Sequence, residues 1–178
     1  MTTTYAFGWV FDDFKKAFVV FGGVRVVDLS KKLIRKINDG RGFSHTSFEP
    51  IYYLVFSPKI ILEVKRQLPA WEARLNNNGW DVKKFSVAEH ISELFLNAPM
   101  RSIELEADRK KPLDWKRTTE SLAGELMNGK DNLQKRLESE LAKLEGKKNV
   151  ILLVTDVEAL HPYLRIGAIE AKAFGQKE

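Results

Sequence analysis

Five polar or aromatic residues follow the most apolar stretch of the chain and are the best placed for chemistry or recognition: Asp156, Glu158, His161, Tyr163 and Arg165. The stretch before them, residues 150–154, is a continuous apolar run, which is typical of a parallel strand buried on both faces. Residues just past the carboxyl end of such a strand lie at the edge where open α/β sheets place their functional groups. These five residues are therefore the first candidate site.

The residue types at this site allow several roles. His161, which follows Asp156 and Glu158, could join an acid–base pair. Asp156 also resembles a Walker-B aspartate, although a more ordinary role would be for Asp156 or Thr155 to cap the following helix. Arg165 offers a planar fork to a carboxylate, and Tyr163 offers a rigid amphipathic anchor; such residues dominate protein interfaces. We expect the site to hold the strand-to-helix junction and to present a surface to a protein partner, without catalysis.

Sequence patterns of nucleotide, metal and nucleophile chemistry do not occur. The strand-to-helix junctions at 56–58 and 85–87 lack the glycine-rich, lysine-bearing loop that cradles phosphates. The three histidines are too far apart for a paired zinc motif, and the absence of cysteine excludes disulfides and cysteine-ligated metals. A Gly-x-Ser-x-Gly nucleophile elbow is also missing. We therefore expect no catalytic residue, no cofactor and no metal.

Two clusters of basic residues could contact nucleic-acid phosphates. The first consists of four residues on one short predicted helix: Lys31, Lys32, Arg35 and Lys36. The second lies around Trp115 and comprises Arg109, Lys110, Lys111, Lys116 and Arg117. Lysine and arginine neutralise phosphates, an aromatic ring can stack on a base, and the net charge is +5. The alternative is two solvated helix faces that also meet an acidic protein surface, with Trp115 as a core anchor. Because only scattered lysine and arginine residues would supply it, any DNA binding should be weak and independent of sequence.

The order of apolar patterns predicts a single α/β domain over residues 1–178. Predicted strands at 51–56, 80–85 and 150–154 alternate with helical patterns, which favours a mainly parallel sheet flanked by helices. This layout is like that of nucleotide-binding domains, but without a P-loop. Residues 99–148 are rich in lysine and glutamate and are predicted to be a helical insertion before the last strand.

Local signals predict where several elements begin and end. Ser57 followed by Pro58 is a helix start, and Ser86 with Glu89 forms a capping box. Pro69 is expected to kink or break its helix. Residues 1–10 are expected to be a weakly ordered lead, and a final helix, bent or broken near a proline, is expected over 157–174.

Several segments resemble the BrxB-like family of bacteriophage-exclusion (BREX) defence systems. The most specific is the strand at 150–154 with the motif that follows it, Leu160-His161-Pro162-Tyr163-Leu164-Arg165-Ile166. Less specific are residues 26–29, 51–58 and 80–86, each with its following helix. The family continues into a further strand that ends in a Tyr-Pro-Gly turn, which this sequence does not contain.

The resemblance implies an α/β fold without recognised nucleotide motifs and a cytoplasmic accessory protein with no enzymatic activity. Such systems pair this component with a large AAA-type ATPase, a DNA methyltransferase and PglZ, a protein of the alkaline-phosphatase superfamily. The leading hypothesis is a non-catalytic adaptor that helps to assemble the defence complex by binding PglZ. Two alternatives stay open, namely a DNA-contacting module that uses the basic clusters, and a hydrolase or nucleotide-binding enzyme at the edge near Asp156 and His161. The longest apolar runs are about six residues against the roughly 20 needed to span a bilayer, so no membrane partner is expected.

Overall fold

The computed structural model describes residues 6–11, 31, 34, 35, 37, 51–54 and 56–165. The chain divides into two compact units, the first comprising Met1–Phe85 and Gly146–Thr155, and the second Ser86–Glu145 and Asp156–Glu178. The single-domain organisation expected from the sequence stays a prediction. The described part is mixed α/β.

A four-stranded mixed sheet is built from β1 (Ala6–Phe11), β2 (Ile51–Leu54), β3 (Asp81–Ser86) and β4 (Val150–Thr155), in the order β2-β1-β4-β3. β1 runs antiparallel to both of its neighbours, with Trp9 opposite Ile51 on one side and Leu152 on the other. The amide of Asp81 donates to the carbonyl of Asn149 at 2.7 Å. Because β3 and β4 thus begin at the same edge, these two strands run parallel.

The predicted strands at 51–56, 80–85 and 150–154 are confirmed as members of one sheet, but the prediction that it is mainly parallel is wrong. β1 lies between β2 and β4, inside the region expected to be a weakly ordered lead. Its sequence, Ala-Phe-Gly-Trp-Val-Phe, is rich in residues that favour extended backbone. β1 is therefore an interior strand, paired antiparallel to both neighbours, although the sequence predicted no strand there.

A single helix, α1 (Ile61–Asn77), continues through Pro69, so of the predicted kink or break the break is wrong and the kink stays a prediction. Interior proline costs about 3 kcal/mol because it removes a hydrogen bond and crowds the preceding turn. Val64, Trp71 and Leu75 are buried on either side of it. Burying one such side chain stabilises the fold by about 1.5–3 kcal/mol, so three of them offset the proline.

Two clusters of buried apolar side chains lie among the described residues of the first unit. One contains Ile37, Leu75, Trp80 and Ile151, with Ile34 and Val82 against it. The other contains Leu54, Phe56, Val64 and Trp71. Residues 31, 34, 35 and 37 are helical, as predicted, with Lys31 and Arg35 exposed; Lys32, Lys36 and residues 26–29 lie outside the described residues.

The second unit contains α2 (Val87–Leu96), α3 (Arg101–Lys110), α4 (Trp115–Asn128) and α5 (Leu133–Leu144). The predicted helical character of residues 99–148 is therefore confirmed. The helices bury apolar positions that include Leu126, Leu133 and Leu137. The hydroxyl of Ser86 accepts a hydrogen bond from the amide of Glu89 at 3.3 Å, which confirms the predicted cap of α2. None of the described helices is long and apolar enough to cross a membrane.

The chain after β4 forms a short 3-10 helix, Val157–Leu160, and then a turn at 161–163. Of the helix predicted over 157–174, the structure shows only this 3-10 turn, the predicted break near Pro162 is confirmed, and residues 166–174 lie outside the described part. The residue before a proline disfavours helical dihedral angles. His161, which precedes Pro162, accordingly takes an extended conformation with φ −77° and ψ 136°, and this ends the helix.

Candidate functional site

Residues 156–165, here called the signature segment, begin at a residue in an unusual backbone conformation. Asp156 has φ 58° and ψ 33°, in the left-handed region that aspartate tolerates better than most residues. Its side chain makes no capping bond to the 3-10 helix, so the expected cap by Asp156 is wrong. Instead, one carboxylate oxygen of Asp156 accepts a hydrogen bond from the hydroxyl of Ser86 at 2.8 Å.

Ser86 joins two parts of the second unit through one hydroxyl group. Its Oγ donates to Asp156 and accepts from the amide of Glu89. The carboxylate of Asp156 is thereby held near the amino end of α2, where the helix dipole favours negative charge. Ser86 is 4% exposed, so this linkage is shielded from water.

Apolar and aromatic contacts hold the rest of the signature segment on α2. Val157 and Leu160 are buried at 5% and 2% exposure, and the 3-10 helix packs on α2. The ring of Tyr163 meets the ring of Phe95 edge to face, with centroids 5.5 Å apart and an interplanar angle of 80°. Such a pair contributes about 0.5–1.5 kcal/mol beyond its buried area. The segment is therefore attached near both of its ends.

The five residues predicted for this site divide into two groups. Asp156 and Tyr163 are half-buried and hold the segment, whereas Glu158, His161 and Arg165 are exposed. The carboxylate of Asp156 is bonded to Ser86 and His161 is exposed, and the acid–base pair considered for His161 stays a prediction. Within the described ranges, no group of three or more His, Cys, Asp or Glu residues is arranged to hold a metal ion.

A charged cluster that sequence reasoning missed is centred on Arg136 of α5. Two guanidinium nitrogens donate to Asp131, the shortest at 2.7 Å, and a third donates to Glu93 at 2.6 Å. The same third nitrogen lies 3.3 Å from Nδ1 of His90. Guanidinium only donates, so Nδ1 is the acceptor and the proton of the neutral ring lies on Nε2. The only sequence signal was the spacing of Asp131 and Arg136, which is indistinguishable from that of ordinary surface charges.

Burial and the guanidinium charge shift the pKa values in this cluster. The hydrogen bond from Arg136 lowers the pKa of Asp131, and the same bond raises the pKa of Arg136. Burial, followed by the charge of Arg136, lowers the pKa of His90, although Glu93 acts in the opposite direction. The cluster therefore stabilises a neutral His90 beside a charged Arg136.

The second basic cluster is exposed, and so is the tryptophan within it. Trp115, expected to be a core anchor, is 72% exposed at the first turn of α4, so that expectation is wrong. All five basic side chains around it are exposed: Arg109, Lys110, Lys111, Lys116 and Arg117. Of the first basic cluster, Lys31 and Arg35 are exposed.

A groove of about 250 Å³ separates α3 from α4, and both acidic and basic residues line it. Glu104 accepts a hydrogen bond from Ser121 at 2.8 Å, and Asp108 accepts one from Thr118 at 2.7 Å. The second carboxylate oxygen of Glu104 is buried without a hydrogen-bond partner. Lys111 and Arg117 also line the groove.

No protein-family model, curated protein or solved structure matches this chain.

Proposed function

We propose that the chain is a non-catalytic, cytoplasmic adaptor of a bacteriophage-exclusion complex and that the signature segment is its partner-binding surface. The resemblance of the sequence to the BrxB-like family supplies the biological context. The observation that carries the proposed surface is the attachment of the segment near both ends. Asp156 is bonded to Ser86, and Tyr163 packs on Phe95.

Attachment near both ends favours binding because a fixed surface loses less conformational entropy when a partner docks. The exposed residues Glu158, His161 and Arg165 are presented on this fixed base. The guanidinium of Arg165 can bond a partner carboxylate with two parallel hydrogen bonds, and arginine is enriched among residues that dominate interface energies. The preferred partner surface is therefore one that places an acidic side chain opposite Arg165.

The same contacts support a role without catalysis. An enzyme at this edge would need Asp156 or a nearby hydroxyl to meet a substrate. The carboxylate of Asp156 is already bonded to Ser86, and Ser86 is 4% exposed, which keeps that hydroxyl from a substrate. In the adaptor hypothesis, the exposed residues contact the partner, and the hydrogen-bonded Ser86 and Asp156 support them.

The resemblance directs the choice of partner to PglZ first and to the large AAA-type ATPase second. The test measures binding of the full chain to each of these proteins from the same defence system by titration calorimetry. Arg165→Ala should weaken the complex by about 30-fold, because a central arginine in an interface contributes about 2 kcal/mol. Its melting temperature should stay within about 2 °C of the wild type, since surface substitutions change stability little.

Arg66→Ala is the matched control, because Arg66 is an exposed arginine of α1 outside the second unit. It should bind the partner with the affinity of the wild type. If Arg165→Ala binds as tightly as Arg66→Ala, or if neither PglZ nor the ATPase binds the wild-type chain, the proposed surface is wrong.

A further inference from the structure

The connection between α3 and α4 carries an apolar and aromatic surface that no described part of the chain covers. This connection, residues 109–117, is here called the α3–α4 corner. Trp115 is 72% exposed and Leu113 is 84% exposed. Isolated apolar residues at a surface are ordinary, but a solvated indole beside a solvated leucine is a feature of interaction sites.

Five basic side chains surround these two residues, and the described residues pair only two of them with carboxylates. Lys110 bonds Glu106 at 2.6 Å, and Lys116 lies 3.9 Å from Glu120. Within residues 56–165, the structure gives no ion pair to the other three basic side chains of the corner, which are Arg109, Lys111 and Arg117.

Asp114, within the corner, and Asp108, just before it, are hydrogen-bonded within the protein. Asp108 accepts the hydroxyl proton of Thr118 at 2.7 Å. Asp114 caps α4 by accepting from the amide of Arg117 at 3.4 Å. These bonds hold the shape of the corner, whose five cations outnumber the single carboxylate of Asp114 and leave it net positive.

We propose that the α3–α4 corner binds single-stranded nucleic acid. Trp115 stacks on an unpaired base, while Arg109, Lys111 and Arg117 contact the phosphates on either side. Exposed aromatic rings set among cations are how proteins bind single strands without sequence preference, because every base presents a face for stacking. A duplex keeps its bases stacked on each other and offers the indole no such face, so the single strand is the favoured form.

The neighbouring groove limits where the strand runs. Glu104 and Asp108 line the groove between α3 and α4 and would repel phosphates that entered it. Lys111 and Arg117 also line it and extend to the surface of the corner. The backbone of the nucleic acid therefore crosses the corner outside the groove. This activity is independent of partner binding by the signature segment.

The test uses the full chain and a fluorescein-labelled 15-nucleotide oligothymidylate, with binding followed by fluorescence anisotropy at several salt concentrations. Trp115→Ala should weaken binding by about 5- to 150-fold, which corresponds to the loss of one base-stacking contact. Trp115→Phe should retain most of the affinity, since phenylalanine also stacks. A 15-base-pair duplex of the same oligothymidylate with oligoadenylate should bind more weakly than the single strand.

Charge removal distinguishes phosphate contacts of the corner from general attraction to a basic protein. The triple substitution Arg109→Gln, Lys111→Gln and Arg117→Gln should make the slope of log affinity against log salt less steep by about 2. The matched control removes three exposed cations elsewhere: Arg66→Gln, Lys147→Gln and Lys148→Gln. The control should change the slope little and should leave the effect of Trp115→Ala intact.

Several outcomes would overturn the proposal. One is an affinity for the oligonucleotide that does not change in Trp115→Ala, and another is an equal loss in the triple variant and its charge-matched control. A third is that the wild type binds anionic phosphatidylserine vesicles or a polyglutamate peptide through Trp115 and shows no measurable oligonucleotide binding. The corner would then serve a membrane or an acidic protein. Circular dichroism of each variant verifies that the fold is retained.

Discussion

The polar and aromatic residues of the signature segment fall into two groups, one that holds the chain in place and one that faces solvent. The polar and aromatic residues of the α3–α4 corner nearly all face solvent. Asp156 and Tyr163 are engaged by Ser86 and Phe95. In the corner, by contrast, Trp115 is 72% exposed. A polar motif at the end of a strand can thus be partly structural, and an aromatic residue in a charged helical region can be mostly exposed to solvent.

The largest effect on stability is expected when the contact that holds the signature segment is removed. Asp156→Ala removes the acceptor of the Ser86 hydroxyl, which is 4% exposed, and places alanine at φ 58°. An unsatisfied buried hydroxyl costs about 1–3 kcal/mol, and left-handed backbone costs a non-glycine residue about 1–2 kcal/mol. We therefore expect the free energy of unfolding to fall by about 2–4 kcal/mol, measured by urea denaturation.

Asp156→Asn is the control for this prediction, because asparagine keeps an oxygen acceptor and tolerates the same backbone conformation. It should lose no more than about 1 kcal/mol. If Asp156→Ala is as stable as the wild type, the bond to Ser86 does not hold the segment. The contrast between the two regions would then disappear.

An effect of intermediate size is expected for the Arg136 cluster, which lies in the second unit and should make the stability of the fold depend on pH. The folded-state pKa of His90 is lowered, chiefly by burial and then by the charge of Arg136. Above the unfolded pKa of about 6.5 the ring is neutral in both states, so its contribution to stability is complete. As pH falls below that value, the unfolded state binds the proton more readily and stability is lost down to the folded pKa.

The measurement for His90 is the melting temperature between pH 7.5 and pH 5. The wild type should lose stability across this range, and His90→Gln should lose less, since glutamine does not titrate. Asp131 also has a lowered pKa, so its contribution is complete above its unfolded pKa of about 4 and is lost only in more acidic solution. A pH profile that is the same in His90→Gln and the wild type would show that His90 is not the sensor.

Much of the fold was predictable because local chemistry determines it. Ser86 caps α2 through its own hydroxyl, and the apolar run at 150–154 forms a buried strand. The predictions failed where contacts between residues distant in sequence determine the structure. β1 becomes a strand because two partners pair with it, and α1 continues through Pro69 because Trp71 and Leu75 are buried beyond it.

The same limit applies to the candidate sites. The sequence identified the five residues of the signature segment, but it could not separate Asp156 and Tyr163, which hold the segment, from the three exposed residues. That separation depends on Ser86 and Phe95, which are far away in sequence. Trp115 was assigned to the core because tryptophan is usually buried.

The smallest effect on stability is expected for substitution of Trp115 in the α3–α4 corner, where the change should be close to zero. Trp115 is 72% exposed, so truncation to alanine removes few buried contacts. Surface substitutions of this kind change the free energy of unfolding by about 0.5 kcal/mol or less. Trp115→Ala should therefore unfold in urea at nearly the midpoint of the wild type, even as its affinity for the oligonucleotide falls. A loss of stability comparable to that of Asp156→Ala would mean that Trp115 packs against the protein in solution, and the corner would then resemble the signature segment.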